Sequence, residues 1–174
     1  RSGYELRKTL TDTPAGVYRP SPGALVPALR RLEQRGLLRV ETMPSSGRRT
    51  RRVYHLSRDG RVEHLAWLRH PVDPGTVAKD LGLHLMRFVM MESLLPPADI
   101  LAFLQALADA LRALINAVER YRQSTDLPDR HPTLALQHGI EVHRASLHWA
   151  QETIATLASA TERATPSYRL TPRA

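Results

Sequence analysis

The segment from residue 21 to residue 61 reads SPGALVPALRRLEQRGLLRVETMPSSGRRTRRVYHLSRDGR, and this stretch decides the fold. Leu25, Leu29 and Leu32 recur at steps of four and three residues, which places them on one face of a helix. Gly36 follows the last apolar position, and glycine is the residue that most often ends a helix in the left-handed conformation. The segment therefore predicts an amphipathic helix that ends before Gly36.

The beginning of this helix carries two prolines. Ser21 is a good N-cap, and Pro22 is tolerated in the first turn because its missing N–H would be unpaired there. Pro27 would break a helix interior. The helix is therefore expected either to begin at residues 23–24 or to bend at Pro27.

Two short strands are predicted after this helix. Residues 37–43 and 51–56 alternate apolar and polar side chains, and residues 44–50 form a turn with a basic tip. This pattern predicts a hairpin of the kind called a β-wing. Ser57 can cap a further helix that runs to about His70.

A short helix is also predicted upstream, over residues 2–10. Ser2 and Glu5 have the spacing of a capping box, and residues 11–20 then form a turn and loop. The order helix, turn, helix, strand, basic hairpin, strand, helix is that of a winged helix-turn-helix. We therefore expect this domain over residues 1–70.

The rest of the chain is expected to be helical. Residues 71–75 read PVDPG and mark the domain boundary, and residues 163–174 are expected to form a flexible tail. Between them, residues 71–162 are expected to form a helical dimerisation domain. Its helices are predicted over residues 76–95, from Pro96–Pro97 to about 123, and over 133–161, with a loop at 124–132.

Apolar residues in the last two of these helices alternate steps of four and three, which is typical of a seam that buries against another helix. We interpret this seam as a homodimer interface, with an intramolecular bundle as the alternative. The predicted dimerisation residues are Leu104, Leu107, Leu111, Leu114, Val118, Ile140, Leu147 and Ile154.

Positive charge is concentrated in the first domain. Residues 1–70 hold 15 Lys and Arg against 6 Asp and Glu, a net charge of +9, whereas residues 71–174 hold 10 against 11, a net charge of −1. A basic module joined to a near-neutral one predicts that the first contacts a polyanion and the second does not.

Other classes of protein find little support in the sequence. The chain has no cysteine, no apolar run long enough to span a membrane and no signal peptide, so we expect a cytoplasmic protein. No catalytic set, metal-ligand spacing or cofactor-binding loop is recognisable, so neither enzymatic activity nor a cofactor is expected. The chain starts at Arg1 rather than Met, and we expect that the natural N-terminus precedes it.

A winged helix-turn-helix of this charge suits double-stranded DNA. The second helix would enter the major groove, and the basic hairpin would reach phosphates or the minor groove. The predicted DNA-binding residues lie on the outer face of this helix, at its start and along the hairpin, and Tyr4 is added from the first helix. They are Tyr4, Ser21, Gly23, Ala24, Pro27, Arg30, Arg31, Arg48, Arg49, Arg51 and Arg52.

Three stretches, residues 3–8 (GYELRK), 21–38 (SPGALVPALRRLEQRGLL) and 53–61 (VYHLSRDGR), resemble the PadR family of transcriptional regulators. The resemblance implies a bacterial homodimeric repressor that binds a palindromic operator, with a small-molecule effector that releases it. Two features depart from the family pattern. Val26 stands where the family has a tyrosine that commonly lies near DNA, and the family's first helix is absent, so we expect a truncation.

The second domain could hold the effector. One interpretation of Trp149, Phe88 and Met91 is an aromatic and apolar pocket for this effector, and the alternative is ordinary packing of these side chains. For the whole chain, the competing interpretation is a winged-helix protein-interaction module that does not bind DNA. Val26 favours that interpretation, and the basic charge of residues 1–70 opposes it.

Overall fold

The structure is a computed structural model that describes residues 1–12, 21–44, 50–125 and 129–164. The chain divides into two compact units, Arg1–Leu68 and Arg69–Ala174. The first unit has three helices and a two-stranded antiparallel sheet among its described residues, and the second has three helices. This mostly helical architecture with a small wing confirms the predicted fold class.

The elements follow the order that the sequence predicts, with small shifts at their ends. They are α1 Gly3–Asp12, α2 Pro22–Gln34, β1 Leu38–Pro44, β2 Thr50–Leu56, α3 Arg58–Leu68, α4 Val77–Met91, α5 Pro97–Ser124 and α6 Arg130–Ala164.

The first helix begins with the predicted capping box. The Ser2 N–H donates to Glu5 Oε2 at 2.8 Å, and the Glu5 N–H donates to Ser2 Oγ at 3.3 Å. Ser2 also pairs with Val53 as an isolated antiparallel bridge. The N-terminal ammonium donates to the Tyr54 carbonyl at 3.1 Å, so the start of the chain lies along β2.

Helix α2 ends as the sequence predicts. Gly36 has a φ of +72°, and its N–H donates to the Glu33 carbonyl at 2.9 Å. The Leu37 N–H donates to the Leu32 carbonyl at 2.9 Å, which completes a Schellman motif. Two orphan carbonyls of the last turn are thereby satisfied, and the chain turns directly into β1.

The beginning of α2 differs from the expectation in detail. Ser21 is the N-cap residue, but its side chain makes no capping hydrogen bond. The helix starts at Pro22 and includes Pro27, which rules out a start at residues 23–24. A proline at position 27 cannot donate to the carbonyl four residues earlier, so α2 lacks one hydrogen bond of its first turns.

The wing strands pair in antiparallel register from Leu38 opposite Leu56 to Pro44 opposite Thr50. The tip of the predicted turn, residues 45–49, lies outside the described residues. Buried Val53 of β2 belongs to the apolar core of the first unit, together with Leu29 and Leu37.

Helix α3 packs very closely on the entrance to the wing. Ser57 Oγ accepts the Gly60 N–H at 2.9 Å, which confirms Ser57 as the cap, and Ser57 donates to the Gly36 carbonyl at 2.7 Å. A Cβ atom at position 60 would lie 2.1 Å from the Leu37 carbonyl oxygen. Only glycine allows this approach of helix and backbone.

Two helix ends in the second unit differ from the predictions. Helix α4 ends at Met91 rather than at residue 95, and the N–H groups of Leu94 and Leu95 both donate to the Met91 carbonyl in a turn that precedes Pro96. Helix α6 begins at Arg130, three residues before the predicted start, and carries Pro132 in its first turn. Proline is acceptable there because the first turn has no intrahelical acceptors for its N–H groups.

The core of the second unit is built on α5. Phe103, Leu104, Leu107, Leu111 and Ile115 are buried along this helix. Ile140 and Ala150 of α6 and Met91 of α4 also belong to this core.

The segment after α3 is tied to the second unit. Arg69 Nε contacts Asp99 Oδ2 at 3.1 Å, and Arg87 donates to the His70 carbonyl. Val72 is also buried. These contacts attach the segment to α4 and α5.

Candidate nucleic-acid interface

The outer face of α2 is open to solvent. Leu29 is buried and Leu25 and Leu32 are half-buried, so the apolar face of the helix meets the core of the first unit. The opposite face is exposed and holds five of the predicted DNA-binding residues. They are Gly23, Ala24, Pro27, Arg30 and Arg31.

Two cations on this face are available for an external partner. Arg30 and Arg31 are exposed, and neither forms an ion pair with a residue that the structure describes. Ser21 is exposed at the start of the helix, and its hydroxyl makes no capping bond. The geometry therefore leaves both guanidinium groups and this hydroxyl open to the surroundings.

The base of the wing carries two further arginines, and both form ion pairs with carboxylates of the same unit. Arg51 Nη1 contacts Glu5 Oε1 of α1 at 3.0 Å. Arg52 Nη2 contacts both carboxylate oxygens of Glu33 of α2, at 2.8 and 2.6 Å. Arg52 also lies 5.6 Å from the centre of the Tyr54 ring. The wing is thus joined to both helices of the helix-turn-helix by ion pairs.

A shallow concavity of about 540 Å³ lies where α1, α2 and β2 meet. Its lining includes Tyr4, Val26, Arg51 and Tyr54. Tyr4 is 68% exposed and Val26 is 47% exposed, and the Arg7 guanidinium lies 5.8 Å from the Tyr4 ring centre. The structure therefore brings Tyr4 together with Arg51 and Arg52 but leaves Ser21 and Gly23 outside this concavity.

Arg48 and Arg49, at the predicted tip of the wing, lie outside the described residues. Their part in the interface stays a prediction from the sequence.

The carboxylates of this surface are not indicated by the sequence pattern. Glu5 has the spacing of a capping box, and nothing local marks Glu33 as a partner of the wing. Glu5 accepts from the Ser2 backbone N–H, and this bond, together with the Arg51 cation, lowers the pKa of the Glu5 carboxyl. The ion pairs join residues 46 and 19 positions apart, so no local signal could have found them.

The predicted dimer seam divides into two groups. Four of its residues are already buried within the single chain, whereas the other four are half-buried. The buried group is Leu104, Leu107, Leu111 and Ile140, and the half-buried group is Leu114, Val118, Leu147 and Ile154. The buried group packs within the chain, which is the arrangement of the intramolecular alternative, and only the second group presents apolar surface to solvent.

The residues suggested for an effector pocket lie on α4 and α6. The rings of Phe88 and Trp149 meet edge to face with their centres 5.5 Å apart. Both side chains are half-buried, and Met91 is 1% exposed. The aromatic pair is therefore in contact, as ordinary packing also requires.

The first unit matches a known protein family. Residues 1–65 match the model of the transcriptional regulator PadR-like family. In this segment, the chain is similar to the PadR-like family of transcriptional regulators. Residues 85–158 match a second model, described as virulence activator alpha C-term. No curated protein matches the sequence.

Several solved structures resemble the chain at low identity. Bacillus subtilis PadR in complex with operator DNA is 19% identical and has a TM-score of 0.41, with 90% of this chain and 89% of that chain covered. A PadR-like transcriptional regulator from Bacillus cereus is 19% identical, with a TM-score of 0.39 and coverage of 92% and 91%. The Vibrio cholerae virulence activator AphA is 17% identical, with a TM-score of 0.33 and coverage of 91% and 90%. Likenesses this distant say nothing about the ligands or individual residues of this chain.

None of the described helices has the length and apolar character that crossing a membrane requires.

Proposed function

We propose that the chain is a DNA-binding transcriptional regulator that acts as a homodimeric repressor on a palindromic operator. The observation that carries this proposal is the exposed outer face of α2, where Arg30 and Arg31 stand without ion pairs to described residues. The match of residues 1–65 to the model of a family of transcriptional regulators supports it.

In this proposal α2 is the recognition helix. An α-helix fits the major groove of B-DNA, and the small residues Gly23 and Ala24 would let its first turn approach the base edges. Arg30 and Arg31, about two turns later, would reach phosphates or guanine. The Ser21 hydroxyl, which makes no capping hydrogen bond, would donate a hydrogen bond to a phosphate at the start of the helix.

The wing supplies the second group of contacts in the proposal. Arg48 and Arg49 at its tip would contact phosphates or the minor groove, as basic hairpins of winged helices are suited to do. Arg51 and Arg52 lie closer to the helices, where they are held by carboxylates. Tyr4 borders the same surface from α1.

Dimerisation is proposed through the second unit, because two helix-turn-helix units related by a two-fold axis read two half-sites of a palindrome. Leu114, Val118, Leu147 and Ile154 are the seam residues that still present surface in the single chain. A small-molecule effector is proposed near Phe88 and Trp149, where binding would repack the contact between α4 and α6.

The testing experiment is fluorescence anisotropy with a duplex from upstream of the chain's own gene and with a scrambled duplex, at several salt concentrations. A preference for the upstream duplex, with log affinity falling linearly with log salt, supports a sequence-specific regulator. Equal weak binding to both duplexes contradicts recognition at that site. Light scattering of the same sample measures its mass, and a monomer would contradict the dimer.

A protein-interaction module is the second candidate function. The exposed Tyr4 and Val26 favour it, because they add apolar area to a concavity that a protein partner could fill. This candidate would be supported over DNA binding if the chain bound no duplex and instead bound a protein partner whose binding is abolished by Val26→Glu.

A further inference from the structure

Two arginines beside the proposed recognition helix are neutralised by carboxylates of the same unit. Glu5 of α1 contacts Arg51, and Glu33 of α2 contacts Arg52. The four side chains together carry no net charge, whereas Arg30 and Arg31 on the adjacent helix face keep theirs. The density of arginines along this part of the sequence therefore overstates the positive charge that the surface offers.

The carboxylates are held in place. Glu5 uses one oxygen for Arg51 at 3.0 Å and the other for the Ser2 backbone N–H at 2.8 Å. Glu33 presents both oxygens to a single nitrogen of Arg52, at 2.8 and 2.6 Å. Neither carboxylate can turn away from its arginine without losing these bonds.

All four groups are also within reach of an external polyanion. The Arg51 and Arg52 side chains are 49% and 43% exposed, and those of Glu5 and Glu33 are 42% and 35% exposed. A phosphate that approaches either arginine therefore meets a carboxylate that competes for the same guanidinium group. The competition is independent of base sequence because it involves only the phosphate.

We infer that Glu5 and Glu33 are specificity-determining residues of the proposed DNA-binding surface, which restrain binding to DNA of any sequence by neutralising Arg51 and Arg52. The inference rests on the proposed function. Sequence-independent binding depends on the number of phosphates neutralised and of counterions released. When Arg51 and Arg52 are neutralised by carboxylates, fewer phosphates are neutralised and sequence-independent binding weakens. The base contacts from α2 are unaffected, so the ratio of specific to non-specific affinity rises.

The test is Glu33→Gln, which removes the charge and keeps the size and an acceptor oxygen for Arg52. Affinity for the scrambled duplex is expected to rise about threefold to tenfold at 0.1 M salt, with a log–log salt slope steeper by about one. Glu63→Gln is the matched control, because Glu63 pairs with Arg35 at 2.7 Å in the same unit but not with a wing arginine. It is expected to leave the slope unchanged.

A double-mutant cycle identifies the partner. Arg52→Gln is expected to reverse the gain in the Glu33→Gln background, and to lower affinity for the scrambled duplex by a larger factor there than in the wild-type background. Circular dichroism checks that each variant is folded, as expected for exposed ion pairs.

The outcomes separate the inference from the proposed function. Wild-type binding to duplex DNA with no change in Glu33→Gln, or an equal gain in Glu63→Gln, overturns the inference and leaves the proposed function standing. If neither wild type nor variant binds any duplex, the proposed function fails and the inference fails with it.

Discussion

Two glycines of the first unit differ in what an added methyl group would meet. At Gly60, a Cβ atom would lie 2.1 Å from the Leu37 carbonyl oxygen, which is backbone and cannot move aside. At Gly3, it would lie 3.6 Å from Leu29 Cδ1, an ordinary van der Waals contact. The close packing of α3 on the start of the wing therefore depends on one missing side chain.

Gly60→Ala is expected to destabilise the first unit by about 1–3 kcal/mol, because α3 must shift away from Leu37 to relieve the overlap. Gly3→Ala is the matched control and should change the free energy of unfolding by less than about 1 kcal/mol. Urea unfolding followed by circular dichroism measures both. Equal stability of the two variants would contradict the close approach.

Helix α2 and the wing are expected to contribute differently to DNA binding. The helix combines small residues at its start with Arg30 and Arg31 about two turns later, all on one exposed face. The wing combines paired arginines at its base with the basic sequence of its tip. Contacts from the helix would carry base recognition, and contacts from the wing would carry phosphate binding.

Replacing both Arg30 and Arg31 with Ala is expected to weaken binding to the upstream duplex at least tenfold, since each bond to guanine or phosphate that is removed costs about 1–3 kcal/mol. Arg58→Ala with Arg61→Ala is the control, because these exposed arginines have the same charge but lie on α3. Anisotropy titrations compare the two double variants. If both double variants lost the same affinity, Arg30 and Arg31 of α2 would contribute only positive charge and no base recognition.

Replacing Arg48 and Arg49 with Ala is expected to weaken binding to every duplex to the same extent. The salt slope should fall by about one for each phosphate that the wing no longer neutralises, because fewer counterions are released on binding. The measurement is the salt dependence of affinity for the upstream and scrambled duplexes. Unchanged affinity and slope would show that the wing tip does not bind phosphate.

Helix α5 carries the central core of the second unit. Leu104, Leu107 and Leu111 are fully buried in the single chain. Residues at these positions therefore stabilise the protomer first, and their replacement would disturb folding before it disturbs association.

Leu107→Ala is expected to lower the free energy of unfolding by about 2–5 kcal/mol, the usual cost of a cavity in a packed core. Leu134→Ala on α6 is the control, because Leu134 is 49% exposed and its truncation leaves no cavity. Thermal and urea unfolding measure the two costs. If Leu107→Ala changed the free energy of unfolding little but caused a dimer to dissociate into monomers, Leu107 would instead belong to a seam between two chains.

Across the whole molecule, charge and buried titratable groups are distributed unequally. The first 70 residues carry the positive excess, and the second unit holds the buried pair His84 and Arg87. Burial, followed by the neighbouring Arg87 cation, lowers the pKa of His84, while Asp80 opposes this shift. Burial also lowers the pKa of His143. Salt is therefore expected to act mainly through the first unit and acid through the second.

Stability of the second unit is expected to fall as pH decreases below 6.5, the ordinary pKa of histidine. Above that value the imidazole is neutral in the folded and unfolded chain, whereas below it the unfolded chain takes up a proton that folded His84 resists. His84→Gln should reduce this dependence between about pH 7 and pH 5, as measured by urea unfolding at each pH. His138→Gln, at an exposed position of α6, is the control and should retain it.

Much of the fold could be predicted from the sequence because it rests on contacts between near neighbours. The Ser2–Glu5 capping box and the Ser57 cap join residues three positions apart, and the Gly36 helix end depends on one residue that tolerates a positive φ. The alternation of the wing strands and the confinement of positive charge to residues 1–70 are equally visible along the chain.

Tertiary structure alone decided which charged and apolar groups remain available. Arg30 and Arg51 look alike in the sequence, yet of these two only Arg51 meets a carboxylate among the described residues, one that lies 46 positions away. Likewise, Leu107 and Leu114 share one heptad seam, yet Leu107 is fully buried within the chain and Leu114 is half-buried. Hydrogen bonds of caps and turns are set by spacing along the backbone, whereas ion pairs and burial depend on which distant elements the packed core brings together.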